Sequence, residues 1–236
     1  SGKSFLIDVV MEDYNIELCA TTNKATKISK HPCSTFHSLF NLIPTPVRTI
    51  QHTLPEFSKD TIIIVDEASM VDKSMLRYAR EEDCKLIYVG DANQLPPIED
   101  EVSPVFSQVD DIAYLTHVHR QAEGNPIIEE SQRILQCMEH DVLPAVQPKE
   151  GAIWHVDKPQ FYNSIRDYEN ANADYTILTF TNANVANYNA FARSIKWSGI
   201  IYNQGEKLVC NKPIIEDKSV IFSTSEIVTV INSSQF

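Results

Sequence analysis

The sequence has no apolar run long enough to span a membrane and no secretory signal at its start. Its 5 cysteines are odd in number, scattered and without C-x-x-C spacing, which argues against a disulfide framework or a cysteine zinc site. Internal repeats and low-complexity segments are also absent. We therefore expect a cytoplasmic protein of one or two domains with reduced thiols and no membrane partner.

The sequence also has no excess of positive charge. Its 236 residues carry a formal net charge of −12 at pH 7. A protein that coats nucleic acid needs a basic surface, since neutralisation of phosphates dominates nonspecific affinity. The charge therefore argues against a coating protein. It leaves open a protein that grips a few nucleotides in a local groove, and we interpret the acidic segments 99–101 and 110–111 as solvated loop faces.

The first four residues, Ser1-Gly2-Lys3-Ser4, match the last four positions of the phosphate-binding loop G-x-x-x-x-G-K-[ST]. In that loop the lysine reaches the β- and γ-phosphates of a nucleotide, the final hydroxyl binds Mg²⁺, and main-chain N–H groups surround the phosphates. Because the earlier glycine is missing, we expect the natural amino terminus to lie upstream. The tripeptide alone is equally compatible with an ordinary helix start.

An acidic pair strengthens the nucleotide interpretation. Residues 61–65 form an unbroken β-branched run, typical of a strand buried on both faces, and this run ends directly in Asp66 and Glu67. An aspartate there can hold the Mg²⁺ that Ser4 also contacts, and the neighbouring glutamate can orient or deprotonate the attacking water. A solvated acidic strand end is the alternative. Together with the loop, the pair predicts a site for ATP and Mg²⁺.

Strand and helix patterns alternate along the chain, which predicts an α/β fold with a mostly parallel sheet and flanking helices. Each predicted strand ends in polar residues, at the edge where open α/β sheets bind their ligands. The predicted strands are 16–20, 61–65, 85–89 and 175–180. The predicted helices are 3–11, 73–80 behind the N-cap Asp72, 127–137 behind Asn125 and Pro126, and 185–195 behind a cap at Asn182.

Several motifs resemble those of the superfamily 1 DNA helicases of the RecD and Dda type, and they occur in that family's order. The most specific are Asp66-Glu67-Ala68-Ser69-Met70 and the run from Gly90-Asp91 to Gln94-Leu95-Pro96-Pro97. The other matched stretches are 2–4, 20–25, 34–39, 115–120, 125–128 and 180–182. The resemblance covers most of the chain and implies a RecA-like P-loop NTPase fold.

The resemblance also implies a domain organisation. A RecA-like ATPase domain would span 1–140, a connecting segment 141–174, and a partial second RecA-like domain 175–236, without the family's later motifs. Residues 41–60 interrupt the alternation with prolines, and in the family this insertion carries the hairpin that wedges the duplex apart; an inert connector is the alternative. Segment 223–226 lacks the glycine expected in the turn before the strand 227–230.

Each matched site residue acquires a role from the resemblance. The residues implied to bind nucleotide are Gly2, Lys3, Ser4 and Asp66, with Ser4 and Asp66 on Mg²⁺. Glu67 would activate the water, Gln94 would sense the γ-phosphate and link it to DNA, and Arg120 would be the arginine finger at the interdomain cleft. The residues implied to contact the DNA backbone are Thr21, Thr22, Thr35, His37, Thr181 and Asn182. For His37 a structural role is an equal alternative.

The implied activity is that of an ATP-dependent DNA helicase, phage-encoded and moving 5′ to 3′ in the host cytoplasm, in replication, repair or recombination. Its partners would be single-stranded DNA, duplex junctions and a single-strand-binding protein or replisome component. The alternatives are a P-loop ATPase that acts on RNA or protein, and a non-catalytic strand-binding fragment. We expect negligible turnover from the isolated 236 residues, which contain only half of the phosphate loop.

Overall fold

The computed structural model describes residues 2–14, 16–44, 50–52, 55, 57–98, 100–109, 111–115, 124–197, 202–216 and 219–232. The chain divides into two compact units, Ser1–Asn125 and Pro126–Phe236. This division falls earlier than the connecting segment 141–174, and the assignment of functional domains stays a prediction. Within the described ranges, no helix is long and apolar enough to cross a membrane.

The first unit is an α/β structure. Its strands are β1 (Ile16–Ala20), β2 (Ser34–Thr35), β3 (Leu42–Pro44), β4 (Ile50–His52), β5 (Ile62–Asp66) and β6 (Lys85–Tyr88). Its helices are α1 (Lys3–Asp13), α2 (Asn23–Ile28), α3 (Phe36–Leu39) and α4 (Lys73–Arg80). Four strands form one parallel sheet in the order β2-β1-β5-β6. The predicted α/β class, with a parallel sheet and flanking helices as in the RecA-like P-loop fold, is confirmed.

Both faces of this sheet are covered, as the apolar run in β5 predicts. Successive residues of a strand point to opposite faces, so Ile64 packs in one cluster with Ile7 of α1, while Ile63 and Val65 are buried in another. The second cluster also contains side chains from α3, α4 and the adjoining loops: Phe36, Phe40, Val71, Met75, Leu76, Ala79 and Val105. Burying one such large side chain contributes about 1.5–3 kcal/mol, and this packing fixes the carboxyl end of β5.

The helix starts follow from capping residues. Helix α4 begins as predicted behind Asp72, whose carboxylate accepts a hydrogen bond from the N–H of Met75 at 2.8 Å. Helix α1 begins at Lys3 as predicted and continues to Asp13. The short helices α2 and α3 were not predicted, although Thr22 and Thr35 cap them and threonine is a preferred N-cap residue.

The insertion 41–60 contains a short antiparallel pair. Strand β3 pairs with β4, with Leu42 opposite His52 and Pro44 opposite Ile50. Residues 45–49 lie outside the described part of the chain. The wedge role of this segment therefore stays a prediction.

The second unit contains helices and short strand pairs in its described part. The helices are α5 (Pro126–Glu139), α6 (Lys158–Ala171) and α7 (Asn182–Lys196). Strand β7 (Lys207–Val209) pairs with β10 (Ile227–Thr229), and β8 (Ile214–Glu216) pairs with β9 (Ser219–Phe222), both antiparallel. Aromatic rings join α6 to α7, since the ring centroids of Tyr162 and Phe191 are 4.6 Å apart.

Two predictions for the second unit are wrong. Residues 175–180 are not a strand: no described strand pairs with them, and Leu178 and Phe180 are 90% and 101% exposed. An extended segment becomes a strand only when a neighbour takes up its main-chain hydrogen bonds. The cap of α7 is Thr181, whose hydroxyl oxygen accepts from the N–H of Asn184 at 3.2 Å, so Asn182 is the first helical residue.

The turn before β10 forms without glycine. Ser225 has a φ of 64°, in the left-handed region that favours glycine. The N–H of Ser225 donates to the carbonyl of Cys210 at 2.7 Å, and the N–H of Ser223 donates to the carboxylate of Glu226 at 2.8 Å. These bonds hold a serine in the position where we expected a glycine.

Candidate active site

The amine of Lys3 is a buried basic group at the start of α1. Its Nζ is buried and has no hydrogen-bond partner among the described residues. A buried ammonium without a partner is strongly unfavourable. A bound anion would remove that penalty, so the position of Lys3 fits a ligand with negatively charged oxygens.

The start of α1 offers further donors to the same anion. Lys3 is the first residue of α1 behind Gly2, and the N–H of Leu6 donates to the carbonyl of Gly2 at 2.9 Å. The main-chain N–H groups ahead of Leu6 therefore have no acceptor within the helix. Together with the helix dipole, they form a site that favours negative charge. Ser4 lies exposed in this first turn.

The topology places this helix start at the edge of the sheet that carries the acidic pair. Helix α1 has 11 residues and rises about 16 Å, which matches the length of about 16 Å for the 5 residues of β1. A short connection follows α1, and Ile7 packs on the sheet, so the helix runs back along the strands. Its N-terminus therefore lies at the edge where β1 ends. Asp66 is paired with Ala20 at that edge.

Asp66 and Glu67 are the last residue of β5 and the residue after it. The Oδ1 atom of Asp66 accepts a hydrogen bond from the N–H of Glu67 at 2.9 Å. Glu67 adopts the left-handed conformation, with φ 54° and ψ 42°. Non-glycine residues reach this region only when their surroundings hold them there, and such residues are enriched at active sites.

Neighbouring strands hold the main chain of Glu67 from both sides. The hydroxyl of Thr21, directly after β1, donates to the carbonyl oxygen of Glu67 at 3.0 Å. The N–H of Ala68 donates to the carbonyl of Val89, directly after β6, at 3.0 Å. A Cβ atom on Gly90 would lie 3.0 Å from the nitrogen of Ser69. A side chain at position 90 would therefore crowd the main chain of the turn.

Gln94 rests on the loop that follows β6. Its side-chain amide lies 3.5 Å from the carboxylate of Asp91, and its N–H donates to the carbonyl of Asp91 at 3.0 Å. The N–H of Asn93 donates to the same carboxylate at 3.0 Å. Asp91 therefore orders this loop, and the side chain of Gln94 is exposed at its surface.

Three of the four threonines predicted to contact DNA are helix caps. The hydroxyl oxygens of Thr22 and Thr35 accept from the N–H groups of Ala25 at 3.2 Å and Ser38 at 3.1 Å. Thr181 caps α7 in the same way. A hydroxyl that accepts a capping bond keeps its own hydrogen for another acceptor. His37 is partly buried, with its ring centroid 6.4 Å from that of Phe36.

The structure thus brings together part of the predicted site. Thr21, Asp66, Glu67 and the loop of Gln94 follow three neighbouring strands at one edge of the sheet. Thr181 and Asn182 belong to the second unit. Arg120 lies outside the described residues. The bond from Thr21 to Glu67 and the close approach of Gly90 were missed, because both join residues far apart in sequence.

The ligand set near this edge fits Mg²⁺ on a nucleotide. In the part of the chain that is described, no three His, Cys, Asp or Glu side chains are close enough to form a metal site on their own. Mg²⁺ at nucleotide sites uses one or two carboxylates together with phosphate oxygens and water. Ser4 and Asp66 suit this arrangement, in which the Mg²⁺ ion would bind together with the nucleotide.

The cysteines play no part in this chemistry. All of them, Cys19, Cys33, Cys84, Cys137 and Cys210, are free thiols. Burial raises the pKa of Cys19 far above its usual range, and burial raises the pKa of Cys33 to about 11. Both thiols near the site are therefore protonated at neutral pH and are weak nucleophiles.

Comparison with known proteins identifies the family. The AAA domain family matches residues 1–149. The ATP-dependent RecD2 DNA helicase of Deinococcus radiodurans is 32% identical over 138 residues, which cover 55% of this chain and 18% of that protein. The ATP-dependent DNA helicase dda of Enterobacteria phage T4 is 24% identical over 284 aligned residues, covering 99% of this chain and 61% of that protein. An uncharacterised mimivirus protein is 30% identical over 138 residues, covering 45% of this chain and 27% of its own length.

The chain spans less than two thirds of the length of each of these relatives. The matched AAA domain nevertheless covers more than half of the chain, and it contains the Lys3 helix start and the acidic pair. The resemblance seen in the sequence motifs is confirmed by these matches. The chain therefore belongs to the AAA domain family, in the branch of the superfamily 1 helicases of the RecD and Dda type.

Proposed function

We propose that this chain is the nucleotide-binding part of an ATP-dependent DNA helicase, which couples hydrolysis of Mg-ATP to movement along single-stranded DNA and to separation of the duplex. The observation that carries the proposal is the buried amine of Lys3 at the start of α1, which has no hydrogen-bond partner among the described residues. The direction in which α1 packs on the sheet supports the same conclusion, because it puts the start of this helix at the edge where Asp66 ends β5. Movement from 5′ to 3′ is part of the proposal and rests on the family resemblance.

The nucleotide would be held by the groups around the start of α1. Lys3 and the N–H groups of the first turn of α1 would bind the phosphates, and Ser4 and Asp66 would hold the Mg²⁺. When bound, Mg²⁺ neutralises the charge on the β- and γ-phosphates. The Oδ1 atom of Asp66 accepts a hydrogen bond from the N–H of Glu67, which helps to fix the carboxylate that would hold the ion.

Glu67 supplies the base in this proposal. Its carboxylate orients the attacking water and accepts the proton from it. In the structure, hydrogen bonds with Thr21 and Asp66 hold the main chain of Glu67. Gln94, on the loop ordered by Asp91, senses the γ-phosphate, and Arg120 supplies positive charge to the transferred phosphoryl group.

The DNA strand would be held mainly by uncharged donors. Thr22, Thr35 and Thr181 each keep a hydroxyl hydrogen after capping a helix, and such donors bind phosphates without reading the bases. His37 and Asn182 add further donors. Binding of the strand through uncharged hydrogen-bond donors agrees with the net charge of −12, which would not suit a protein that coats DNA. A single-strand-binding protein or replisome component is the proposed protein partner.

The test measures ATP hydrolysis by the longest gene product that contains the 236 residues. We expect stimulation by oligo-dT, and a loss of about 10²–10⁴-fold on removal of the base by Glu67→Gln. Lys3→Ala should abolish nucleotide binding, which fluorescence of an ATP analogue reports. The exposed residues Glu101 and Lys59 provide matched controls, Glu101→Gln and Lys59→Ala. Undiminished hydrolysis in both site variants refutes the proposal.

Two further experiments test the preference for DNA over RNA and the direction of movement. Oligo-rU in place of oligo-dT separates a DNA motor from an ATPase that acts on RNA. Duplexes with a 5′ or a 3′ tail report the direction of movement, and unwinding only from the 3′ tail contradicts the proposed direction. Residues 1–236 alone, with one glycine of the phosphate loop, should show negligible turnover; multiple turnover by them contradicts that expectation.

A further inference from the structure

The single hydrogen of the Thr21 hydroxyl group has two possible acceptors. In the structure the hydroxyl donates that hydrogen to the main-chain carbonyl of Glu67 at 3.0 Å. The family resemblance also implies that Thr21 contacts the backbone of the DNA strand. A threonine hydroxyl carries one donor hydrogen. It can donate to the carbonyl of Glu67 or to a phosphate oxygen of the strand, but not to both at full strength.

This situation differs from that of the other threonines in the proposed strand site. Thr22 and Thr35 accept hydrogen bonds through their oxygen atoms and keep their hydrogens. Thr21 instead donates its hydrogen across the sheet, from the end of β1 to the residue that follows β5. A phosphate that accepts from Thr21 therefore replaces a hydrogen bond inside the protein. A phosphate that accepts from Thr22 or Thr35 adds a hydrogen bond and leaves the helix cap in place.

The acceptor of this bond is a residue whose conformation depends on its surroundings. Glu67 is left-handed, with φ 54°, and a residue with a side chain stays in that region only when neighbouring contacts hold it. Four hydrogen bonds hold it here. Its carbonyl accepts from the Thr21 hydroxyl and, at 3.3 Å, from the N–H of Met70. Its own N–H donates to Asp66, and the N–H of Ala68 donates to Val89. The bond from Thr21 is the one that a ligand at the end of β1 can take away.

We propose that Thr21 is a positioning residue that couples the strand site to the catalytic carboxylate. Without DNA, its hydroxyl holds the main chain of Glu67 in the left-handed turn and restrains its side chain. When a phosphate of the strand takes the hydrogen, the turn is released and Glu67 can reach the attacking water. The inference rests on the proposed function, and it assigns the DNA stimulation of hydrolysis to one hydrogen bond.

The chain offers matched variants for the test. Thr21→Val keeps the shape of the side chain and removes the hydroxyl, while Thr21→Ser keeps the hydroxyl. Thr26 is the control, because its hydroxyl donates to the main-chain carbonyl of Asn23 at 2.9 Å, away from Glu67. Thr26→Val thus removes the same kind of bond without touching the catalytic turn.

Hydrolysis should change in a pattern that a purely structural role would not produce. In the longest gene product that contains the chain, Thr21→Val should raise the rate without DNA by about 2- to 10-fold, the range that one neutral hydrogen bond supports. The ratio of DNA-stimulated to DNA-free rate should fall. Thr21→Ser and Thr26→Val should keep the wild-type ratio. An unchanged or lower DNA-free rate in Thr21→Val overturns the coupling, and so does a Thr21→Ser variant that behaves like Thr21→Val.

Hydrogen exchange gives a second readout that needs neither nucleotide nor turnover. In the wild-type protein, oligo-dT should speed amide exchange in the segment 66–70, and in Thr21→Val that segment should exchange fast from the start. Slower exchange with oligo-dT in the wild-type protein overturns the inference. The two proposals fail separately: a wild-type ATPase that DNA does not stimulate contradicts the proposed function, whereas a stimulated ATPase with an unchanged Thr21→Val ratio contradicts the coupling alone.

Discussion

Replacing Gly90 by alanine should disturb the turn that carries Glu67, because the added methyl group would crowd the main chain of that turn. The added Cβ would lie 3.0 Å from the nitrogen of Ser69, 3.1 Å from the nitrogen of Ala68 and 3.1 Å from Cζ of Phe106. These distances are shorter than ordinary van der Waals contacts. Overpacking of this kind lowers the free energy of unfolding by about 1–3 kcal/mol.

Two of the three contacts are with main-chain atoms, which cannot turn away as the Phe106 ring can. The N–H of Ala68 is also bonded to the carbonyl of Val89, so a shift of the turn weakens that bond as well. We therefore expect Gly90→Ala to lower the urea midpoint and to reduce ATP hydrolysis. The reduction should appear at saturating ATP, because the start of α1 is unchanged.

A double-mutant comparison with Phe106→Leu separates the two kinds of contact. The shorter side chain relieves the contact with Cζ and leaves the two main-chain contacts in place. Most of the Gly90→Ala penalty should persist in the Phe106→Leu background, measured by urea unfolding against Phe106→Leu alone. A neutral Gly90→Ala variant refutes the reasoning, and so does a penalty that disappears in the Phe106→Leu background.

Two further predictions concern stability. Asp72→Ala removes the cap from the N–H of Met75 and should lower the free energy of unfolding by about 0.5–2 kcal/mol. Asp72→Asn keeps a capping side chain and should retain most of the wild-type stability. Equal urea midpoints for the wild-type protein and Asp72→Ala contradict the capping role. Hydrogen bonds from Arg133 and from the N–H of Gln147 lower the pKa of Glu130 to about 2. Because this pKa is lowered on folding, the contribution of Glu130 is fully present above pH 4.5 and is lost as the pH falls towards 2. Between these pH values, the free energy of unfolding measured with urea should depend less steeply on pH in Glu130→Gln than in the wild-type protein. Identical slopes would contradict the lowered pKa of Glu130.

The parts of the fold that could be predicted are those with strong local signals. The β-branched run before Asp66 predicts a buried strand because such a run is stable only between two covered faces. Asp72 predicts the start of α4 because its carboxylate satisfies an N–H of the first turn. Both signals act over a few residues, so the sequence alone is sufficient.

The errors arise where a partner distant in sequence decides the outcome. Residues 175–180 form an apolar run typical of a strand, but no described strand supplies the hydrogen bonds that would make them one. Thr181 and Asn182 are both good caps, and only the main-chain geometry selects Thr181. In the site, the motifs identified Glu67 and Thr21 separately. The bond between them spans 46 positions, and no local pattern predicts it.

The most direct test of the central claim is a crystal structure of the longest gene product that contains this chain, with Mg²⁺ and a non-hydrolysable ATP analogue. The Nζ atom of Lys3 should lie about 3 Å from an oxygen of the β- or γ-phosphate, with Asp66 facing the ion and Glu67 facing the γ-phosphate. A nucleotide bound elsewhere, with Lys3 still unpartnered or paired to a protein group, would contradict the account.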